Sequence, residues 1–314
     1  MPTAVIYHDT PIASTVEDST DGLTVVAAES DADVREHLAD ADIFVTNPKH
    51  WTDEFLPSLS AGTWVQSTSI GYDAFPVEAF AERDVTFSNA ATLHDTVVSE
   101  HAFALMFALS RRLGPLLDNQ RRRDWDRSVG AEMWLWEGTQ MTVFGLGNIG
   151  ESIARRARAF GFEVSGVKRT PSIYSGALAR DRVVPTEQFH DLLPETDLLV
   201  LTVPLTDETR HAIDASVFEA LPDSAVVVNV ARGPVVDHDA LLAALEAGNL
   251  RGAGLDVFEE EPLLEDSPLW GRDDTVVTPH VGGRSEDFPV RFARLFADNY
   301  RRWRAGESVV NRIV

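Results

Sequence analysis

Residues 142–150 read TVFGLGNIG, and this stretch decides the fold. Thr142, Val143 and Phe144 make a short β-prone run that enters a glycine turn, Gly145-x-Gly147-x-x-Gly150, and a helical pattern follows through residues 151–159. In such a turn Gly145 permits the tight strand-to-helix reversal. Gly147 lets a pyrophosphate approach the backbone, and Gly150 lets helix and strand pack closely. The helix N-terminus adds free N–H groups and the positive end of its dipole. With a strand before it and a helix after it, the stretch is expected to open a dinucleotide-binding unit.

Outward from this unit the chain alternates strand-like and helix-like segments. Downstream, strands are expected at residues 163–167, 182–184, 197–202, 225–229, 252–256 and 275–278, with helices at 187–193, 215–221 and 239–247. Asp237 or Asp239 is a candidate cap for the last of these, and Gly248 its end. Upstream, strands are expected at 4–7, 24–27, 43–46, 64–67 and 85–88, with helices at 32–39 and 76–82. One long helix is expected from about Asp95 to Leu117, and a final one over 285–305. The fold class is therefore α/β. The simplest architecture inserts a dinucleotide-binding domain, residues 96–286, into a smaller domain formed by residues 1–95 and 287–314, leaving a hinge and a ligand cleft.

Composition narrows the partners. Lys+Arg 27 against Asp+Glu 50 gives a net charge of −23, a field that disfavours nucleic acid and anionic lipid. Lys49 and Lys168 are the only lysines. An acidic, lysine-poor surface points to adaptation to concentrated salt, where self-repulsion is screened within about 3 Å at molar ionic strength. Cysteine is absent, which excludes disulfides and a thiolate nucleophile. No apolar run reaches the ~18 residues of a membrane span and Met1-Pro2-Thr3 starts no signal peptide, so a cytoplasmic protein is expected. The histidines form no metal-ligand spacing.

Three charged residues each follow an expected strand: Arg232 after AVVVNVA, Glu261 after GLDVFEE and His280 after TVVTP. In an open parallel sheet ligands gather at the carboxyl ends of strands. A guanidinium forks onto a carboxylate and polarises a carbonyl beside it. An imidazole exchanges a proton with an alcohol or carbonyl oxygen near neutral pH, and a neighbouring carboxylate orients it and favours its charged form. With a nicotinamide, this set suits hydride transfer between a 2-keto acid and a 2-hydroxy acid.

The glycine loop, NVARG at 229–233, GLDVFEEEP at 254–262 and TPHVGG at 278–283 closely resemble the D-isomer-specific 2-hydroxyacid dehydrogenases. SIGYD at 69–73, SEHAFALMFALSRR at 99–112, VPLTDETR at 203–210 and a closing G-x-x-V-x-N at 306–311 extend the resemblance over nearly the whole chain. It implies two Rossmann-like domains, the smaller one flavodoxin-like, and a homodimer formed through the cofactor domain. It assigns Arg232 to the substrate carboxylate and carbonyl, Glu261 to the histidine's partner and His280 to the proton donor. The N–H groups of Ile70 and Gly71 match a turn that holds the substrate carboxylate. Asn148 and Ile149 match the residues at the pyrophosphate, and Val203, Pro204 and Thr209 the adenosine side of the cofactor; Val230, Ala231, Asp256 and Gly282 or Gly283 match the nicotinamide side.

One departure concerns cofactor choice. Members that use NAD usually end the second strand of the dinucleotide domain with a carboxylate for the adenosine ribose. Here EVSGV runs into Lys168-Arg169-Thr170. Two cations and a hydroxyl suit a ribose 2′-phosphate, so NADP(H) is expected to be preferred, with NAD(H) tolerated. His101 reads as a packing residue, Arg121–Arg123 as a local ion-pair cluster, and Trp125, Trp134 and Trp136 as packing or subunit-contact residues. Pro48, His50, Trp51 and Leu93 are candidates for the border of the substrate side-chain pocket. The sequence thus reads as an NADP(H)-preferring D-2-hydroxyacid dehydrogenase. The alternatives are a dedicated glyoxylate/hydroxypyruvate reductase and, from another class, a dinucleotide-sensing corepressor-like module.

Overall fold

A computed structural model describes residues 1–314, and the chain divides into two compact units: Met1–His94 with Arg284–Val314, and Asp95–Gly283.

The first unit begins β1 (Thr3–Tyr7), α1 (Ala13–Asp18), β2 (Thr24–Ala28), α2 (Asp31–His37), β3 (Ile43–Thr46), β4 (Trp64–Ser67), α3 (Val77–Glu82) and β5 (Thr86–Ser88). All pairings are parallel, in the order β2-β1-β3-β4-β5. That is the flavodoxin-like doubly wound order, whose switch point lies between β1 and β3. Both faces of β3 and β4 are buried, so these strands read as unbroken buried runs with no alternation. The chain's last residues pair with β5: Phe87 N–H donates to Val314 O at 3.0 Å and Ile313 N–H to Phe87 O at 2.8 Å. An otherwise open sheet edge is thereby covered.

The second unit starts with α4 (Asp95–Ser110) and α5 (Leu113–Arg122). The single helix expected over this stretch is thus two. Pro115 has no N–H to give Arg111 O, and its ring would meet that carbonyl, so the first helix stops and Arg112 turns left-handed at φ 54°. Then follow β6 (Gln140–Phe144), α6 (Asn148–Ala159), β7 (Glu163–Val167), β8 (Val183–Val184), α7 (Phe189–Leu192), β9 (Leu198–Leu201), α8 (Ala215–Ala220), β10 (Val226–Asn229), α9 (His238–Ala247), β11 (Gly252–Leu255) and β12 (Thr275–Val277). Its seven parallel strands run β8-β7-β6-β9-β10-β11-β12. Counted from the fingerprint strand this is 3-2-1-4-5-6 with a seventh strand added, the dinucleotide-binding order.

Two cores, one on each face of this sheet, hold it together. Helix α4 packs against β11 so closely that a Cβ on Gly254 would stand 2.9 Å from Leu105 Cβ. Helix α9 is capped by Asp237, which accepts from Ala240 N–H at 3.0 Å, and ends at Gly248 with φ 74°. The closing helix α10 (Phe288–Arg304) returns to the first unit, where Phe292 and Phe296 are fully buried and the Phe296 and Trp64 rings stack at 5.2 Å. No helix is long and apolar enough to cross a membrane.

Candidate active site

The glycine loop joins β6 to α6 beside the switch point of the seven-stranded sheet, which lies between β6 and β9. Gly145 has φ 110°, and a Cβ there would meet Val203 Cγ1 at 2.8 Å. A Cβ on Gly150 would stand 2.0 Å from Gly145 O. These two glycines are thus required by the protein's own backbone and packing. Gly147 is different. Its φ is an ordinary −89°, and no atom lies within 4 Å of where its Cβ would be. A glycine there is explained by a group that must come close to the exposed backbone, which fits a pyrophosphate. Helix α6 has no side-chain cap, so its first-turn N–H groups remain for that group, with Asn148 exposed and Ile149 resting on the core.

At the end of β7, Lys168 donates from Nζ to Leu146 O at 2.7 Å, which places its ammonium against the glycine loop. Arg169 and Thr170 are exposed. Across from them the loop after β9 is closed on itself: Thr209 Oγ1 donates to Pro204 O at 2.7 Å and accepts Thr206 N–H at 2.8 Å. In the same loop Glu208 is held below the usual carboxylate range, first by the Thr206 hydroxyl, with the Arg169 charge as a smaller contribution. Arg169 and Glu208 thus feel each other.

The three chemical residues lie at the carboxyl ends of strands of this one unit. After β10, Asn229 is 1 % exposed and shapes the backbone that carries Arg232: Ala231 N–H donates to Asn229 Oδ1 at 3.0 Å and Asn229 Nδ2 to Arg232 O at 3.0 Å. Arg232 is extended and donates to Ala231 O at 2.7 Å. Val230 and Ala231 are buried beside it. Gly233 passes so near the chain after β11 that a Cβ would collide with the Phe258 carbonyl.

Glu261 and His280 are brought together. His280 Nδ1 lies 2.8 Å from Glu261 Oε2, and Glu261 Oε1 accepts Phe258 N–H at 3.0 Å. Burial pushes the Glu261 carboxyl up, but the hydrogen bonds from His280 and Phe258 outweigh it and the net direction is down. His280 itself has φ 51°, a left-handed backbone that histidine tolerates only when surroundings impose it. The constraint is visible: its N–H donates to Asp256 O at 2.8 Å and Thr278 O at 3.0 Å.

Asp256 is the hub of that constraint. Its side chain is 4 % exposed. It accepts from Thr278 Oγ1 at 2.6 Å, Val281 N–H at 2.9 Å and Gly282 N–H at 2.8 Å, and His101 Nε2 stands 3.2 Å away. Burial alone would raise its pKa; the donors win and hold it low. A carboxylate so fully engaged acts on the site through the loop it holds. Gly282 is a glycine because a Cβ would stand 2.7 Å from Asp256 Oδ2; Gly283 follows it, half-buried. His101, read from sequence as packing, also lies 2.9 Å from Thr278 Oγ1 and so belongs to this network. Its signal was its place in SEHAF, on the helix that packs β11 and β12. Glu259, two residues before Glu261, pairs with His211 at 3.0 Å.

In the first unit the turn after β4 holds Ile70 and Gly71. Asn89 Nδ2 donates to Ile70 O at 2.7 Å, and Ala90 N–H to Ser69 O at 3.0 Å, so the turn is fixed through its carbonyls. After β3, Asn47 Oδ1 accepts Lys49 N–H at 2.9 Å and His50 N–H at 3.0 Å. There His50 and Lys49 both bind Asp9, at 2.7 and 2.9 Å. Trp51 is buried in an aromatic cluster with Phe44, Phe55, Phe75 and Phe80.

Comparison with known proteins agrees with this fold. Residues 103–282 match the family model described as "D-isomer specific 2-hydroxyacid dehydrogenase, NAD binding domain". A glyoxylate/hydroxypyruvate reductase B of Escherichia coli is 34% identical over 258 residues, covering 78% of this chain and 75% of the relative. The crystal structure of a D-isomer-specific 2-hydroxyacid dehydrogenase family protein from Aeromonas salmonicida is similar with a TM-score of 0.86 at 30% identity, covering 100% of this chain and 99% of that one. A D-isomer-specific 2-hydroxyacid dehydrogenase from Xanthobacter autotrophicus, crystallised with NADPH and MES, is similar with a TM-score of 0.78 at 28% identity, covering 100% of this chain and 98% of that one.

Proposed function

The chain belongs to the D-isomer-specific 2-hydroxyacid dehydrogenases, and on that premise we propose that it works as an NADPH-preferring reductase of 2-keto acids to D-2-hydroxy acids. The observation that carries the reading is the His280–Glu261 pair, 2.8 Å apart, in the unit that holds Arg232 and the fingerprint. The bound cofactor supplies the hydride; everything else falls to the side chains. Arg232 takes the substrate carboxylate and polarises the carbonyl. His280, tied to Glu261 through Nδ1, presents Nε2 as the donor that protonates the carbonyl oxygen as it becomes an alcohol. Asp256 and His101 hold the loop on which that imidazole stands.

For the cofactor, Gly145, Gly147, Asn148, Ile149 and Gly150 take the pyrophosphate. Val203, Pro204 and Thr209 flank the adenosine, while Val230, Ala231, Gly282 and Gly283 border the nicotinamide. Lys168, Arg169 and Thr170 favour the 2′-phosphate, and a charged hydrogen bond of about 1.5–3 kcal/mol corresponds to a preference of roughly ten- to a hundredfold. The relative of Xanthobacter crystallised with NADPH supports this choice. The E. coli relative favours glyoxylate and hydroxypyruvate as substrates to test first.

Exposed Leu113, Leu117, Trp125 and Leu135, on α5 and the segment after it, support a homodimer formed through this unit. The −23 charge supports a cytoplasm rich in salt. Turnover of a panel of 2-keto acids with NADPH and with NADH tests the reading. Rates confined to NADPH or biased toward it fit. Dinucleotide binding without turnover of any keto acid would favour a corepressor-like sensing module.

A further inference from the structure

Helix α6 carries a carboxylate in its first turn, directly after the last glycine of the fingerprint: Glu151. A negative charge there competes with a pyrophosphate for the helix dipole, unless it is turned aside and neutralised by other donors. It is turned aside. Glu151 Oε2 accepts the Tyr174 hydroxyl at 2.5 Å, its Oε1 accepts Ala177 N–H, and the Tyr174 oxygen accepts Leu178 N–H at 3.0 Å. Tyr174 is 6 % exposed and packs into one core of the unit. Burial and the Glu151 hydrogen bond push its phenol up to about 12, so it remains a donor across the working pH range.

The fit is tight. A Cβ on Gly176 would stand 2.2 Å from Glu151 Oε2 and 2.5 Å from Tyr174 Oη. Further along the same helix, Arg158 donates to Ala177 O at 2.5 Å. Residues 171–178 are thus strapped across α6. The same segment begins where Lys168 Nζ reaches back to Leu146 O. Arg169 and Thr170 lie between the two anchors.

We propose that the Glu151–Tyr174 latch is a specificity-determining support of the cofactor site. By tying the loop after β7 to the helix that receives the pyrophosphate, it fixes Lys168, Arg169 and Thr170 at a set distance from the glycine loop. A free loop would have to be ordered when the 2′-phosphate binds, and that entropy would be lost from affinity. NADH makes no demand on the loop. Loosening the latch therefore weakens NADPH selectively, acting through the loop it holds. The proposal rests on the NADPH-preferring reading above.

The test uses the full-length protein with Tyr174→Phe, which keeps the buried ring, and Glu151→Gln, which keeps the side-chain shape. Steady-state constants and equilibrium titration are measured with NADPH and with NADH. The latch predicts that Kd and KM for NADPH rise roughly three- to tenfold, with NADH constants within about twofold and kcat unchanged. Because the two side chains share the Tyr174–Glu151 contact, the double variant should lose less than the two single losses combined. Equal losses with both cofactors, or no loss with NADPH, overturn the latch as a specificity device. Gly176→Ala, which crowds the same contact, supplies a second route if either variant folds poorly. A wild-type protein that favours NADH would bring down the cofactor reading and the latch together. Wild-type preference for NADPH with unaltered selectivity in the variants overturns the latch alone.

Discussion

His280 Nδ1 lies 2.8 Å from Glu261 Oε2, while the other oxygen of the same carboxylate is tied to Phe258 N–H at 3.0 Å. The carboxylate is therefore anchored to backbone before it meets the imidazole. One ring nitrogen is committed, and the ring's orientation is set without the substrate. In the function proposed above, this arrangement leaves Nε2 to give a proton in one direction of the reaction and take it back in the other.

Removing either member should cost activity by different routes. His280→Ala is expected to lower kcat by roughly 10²–10⁴, the usual weight of general acid–base catalysis. Glu261→Gln keeps the shape but leaves one acceptor oxygen for the Phe258 N–H and the imidazole, so the ring loses its anchor and kcat should also fall, by less than in His280→Ala. Steady-state kcat of both variants decides this; a wild-type kcat in Glu261→Gln rules out the pairing as a working one.

Arg232→Lys keeps a cation and loses the planar fork. If Arg232 grips the carboxylate and polarises the carbonyl, kcat/KM for every keto acid should fall by two orders of magnitude or more, about 3 kcal/mol. Near-normal kcat/KM would remove Arg232 from the mechanism.

Asp256 makes a prediction about stability. Its carboxyl is held low by its donors, so the stabilisation it gives is present above the ordinary carboxylate range and is lost as pH falls through its lowered folded value. Asp256→Asn should be less stable than wild type at neutral pH by roughly 1–3 kcal/mol. The gap should narrow on acidification, as unfolding midpoints measured down the acid range would reveal. A gap that stays constant with pH contradicts the assignment.

Much of this was readable in the chain. The buried strands of two parallel sheets announce themselves as apolar runs because both faces are covered, and β3 and β4 end at the residues expected for them. The roles of Gly145 and Gly150 follow from the fingerprint alone. What was not readable depends on three dimensions. Helix α1 is six residues long with a single buried side chain, Val16, too few to leave a period. The break between α4 and α5 was signalled by Gly114-Pro115 but overridden by the apolar pattern running through it. His101 and Asp256 are 155 positions apart in number and meet only because α4 packs on β11 and β12. The Glu151–Tyr174 contact likewise needs the loop after β7 to fold back on α6, which no local spacing encodes.

The net charge of −23 predicts a dependence on salt. Self-repulsion among surface carboxylates should weaken as the screening length falls from about 10 Å at 0.1 M to about 3 Å at 1 M. The unfolding midpoint should therefore rise between dilute buffer and molar KCl. Identical midpoints would show that the acidic surface serves some other end.

The most direct test of the whole account is the configuration of the product formed with NADPH. Purified protein is incubated with NADPH and glyoxylate-type or longer 2-keto acids, and for substrates giving a chiral product the hydroxy acid is resolved by chiral chromatography, with His280→Ala run alongside. The account predicts NADPH consumption matched one to one by a D-2-hydroxy acid, faster than with NADH and nearly abolished in the variant. An L-product, or undiminished turnover by His280→Ala, would contradict it.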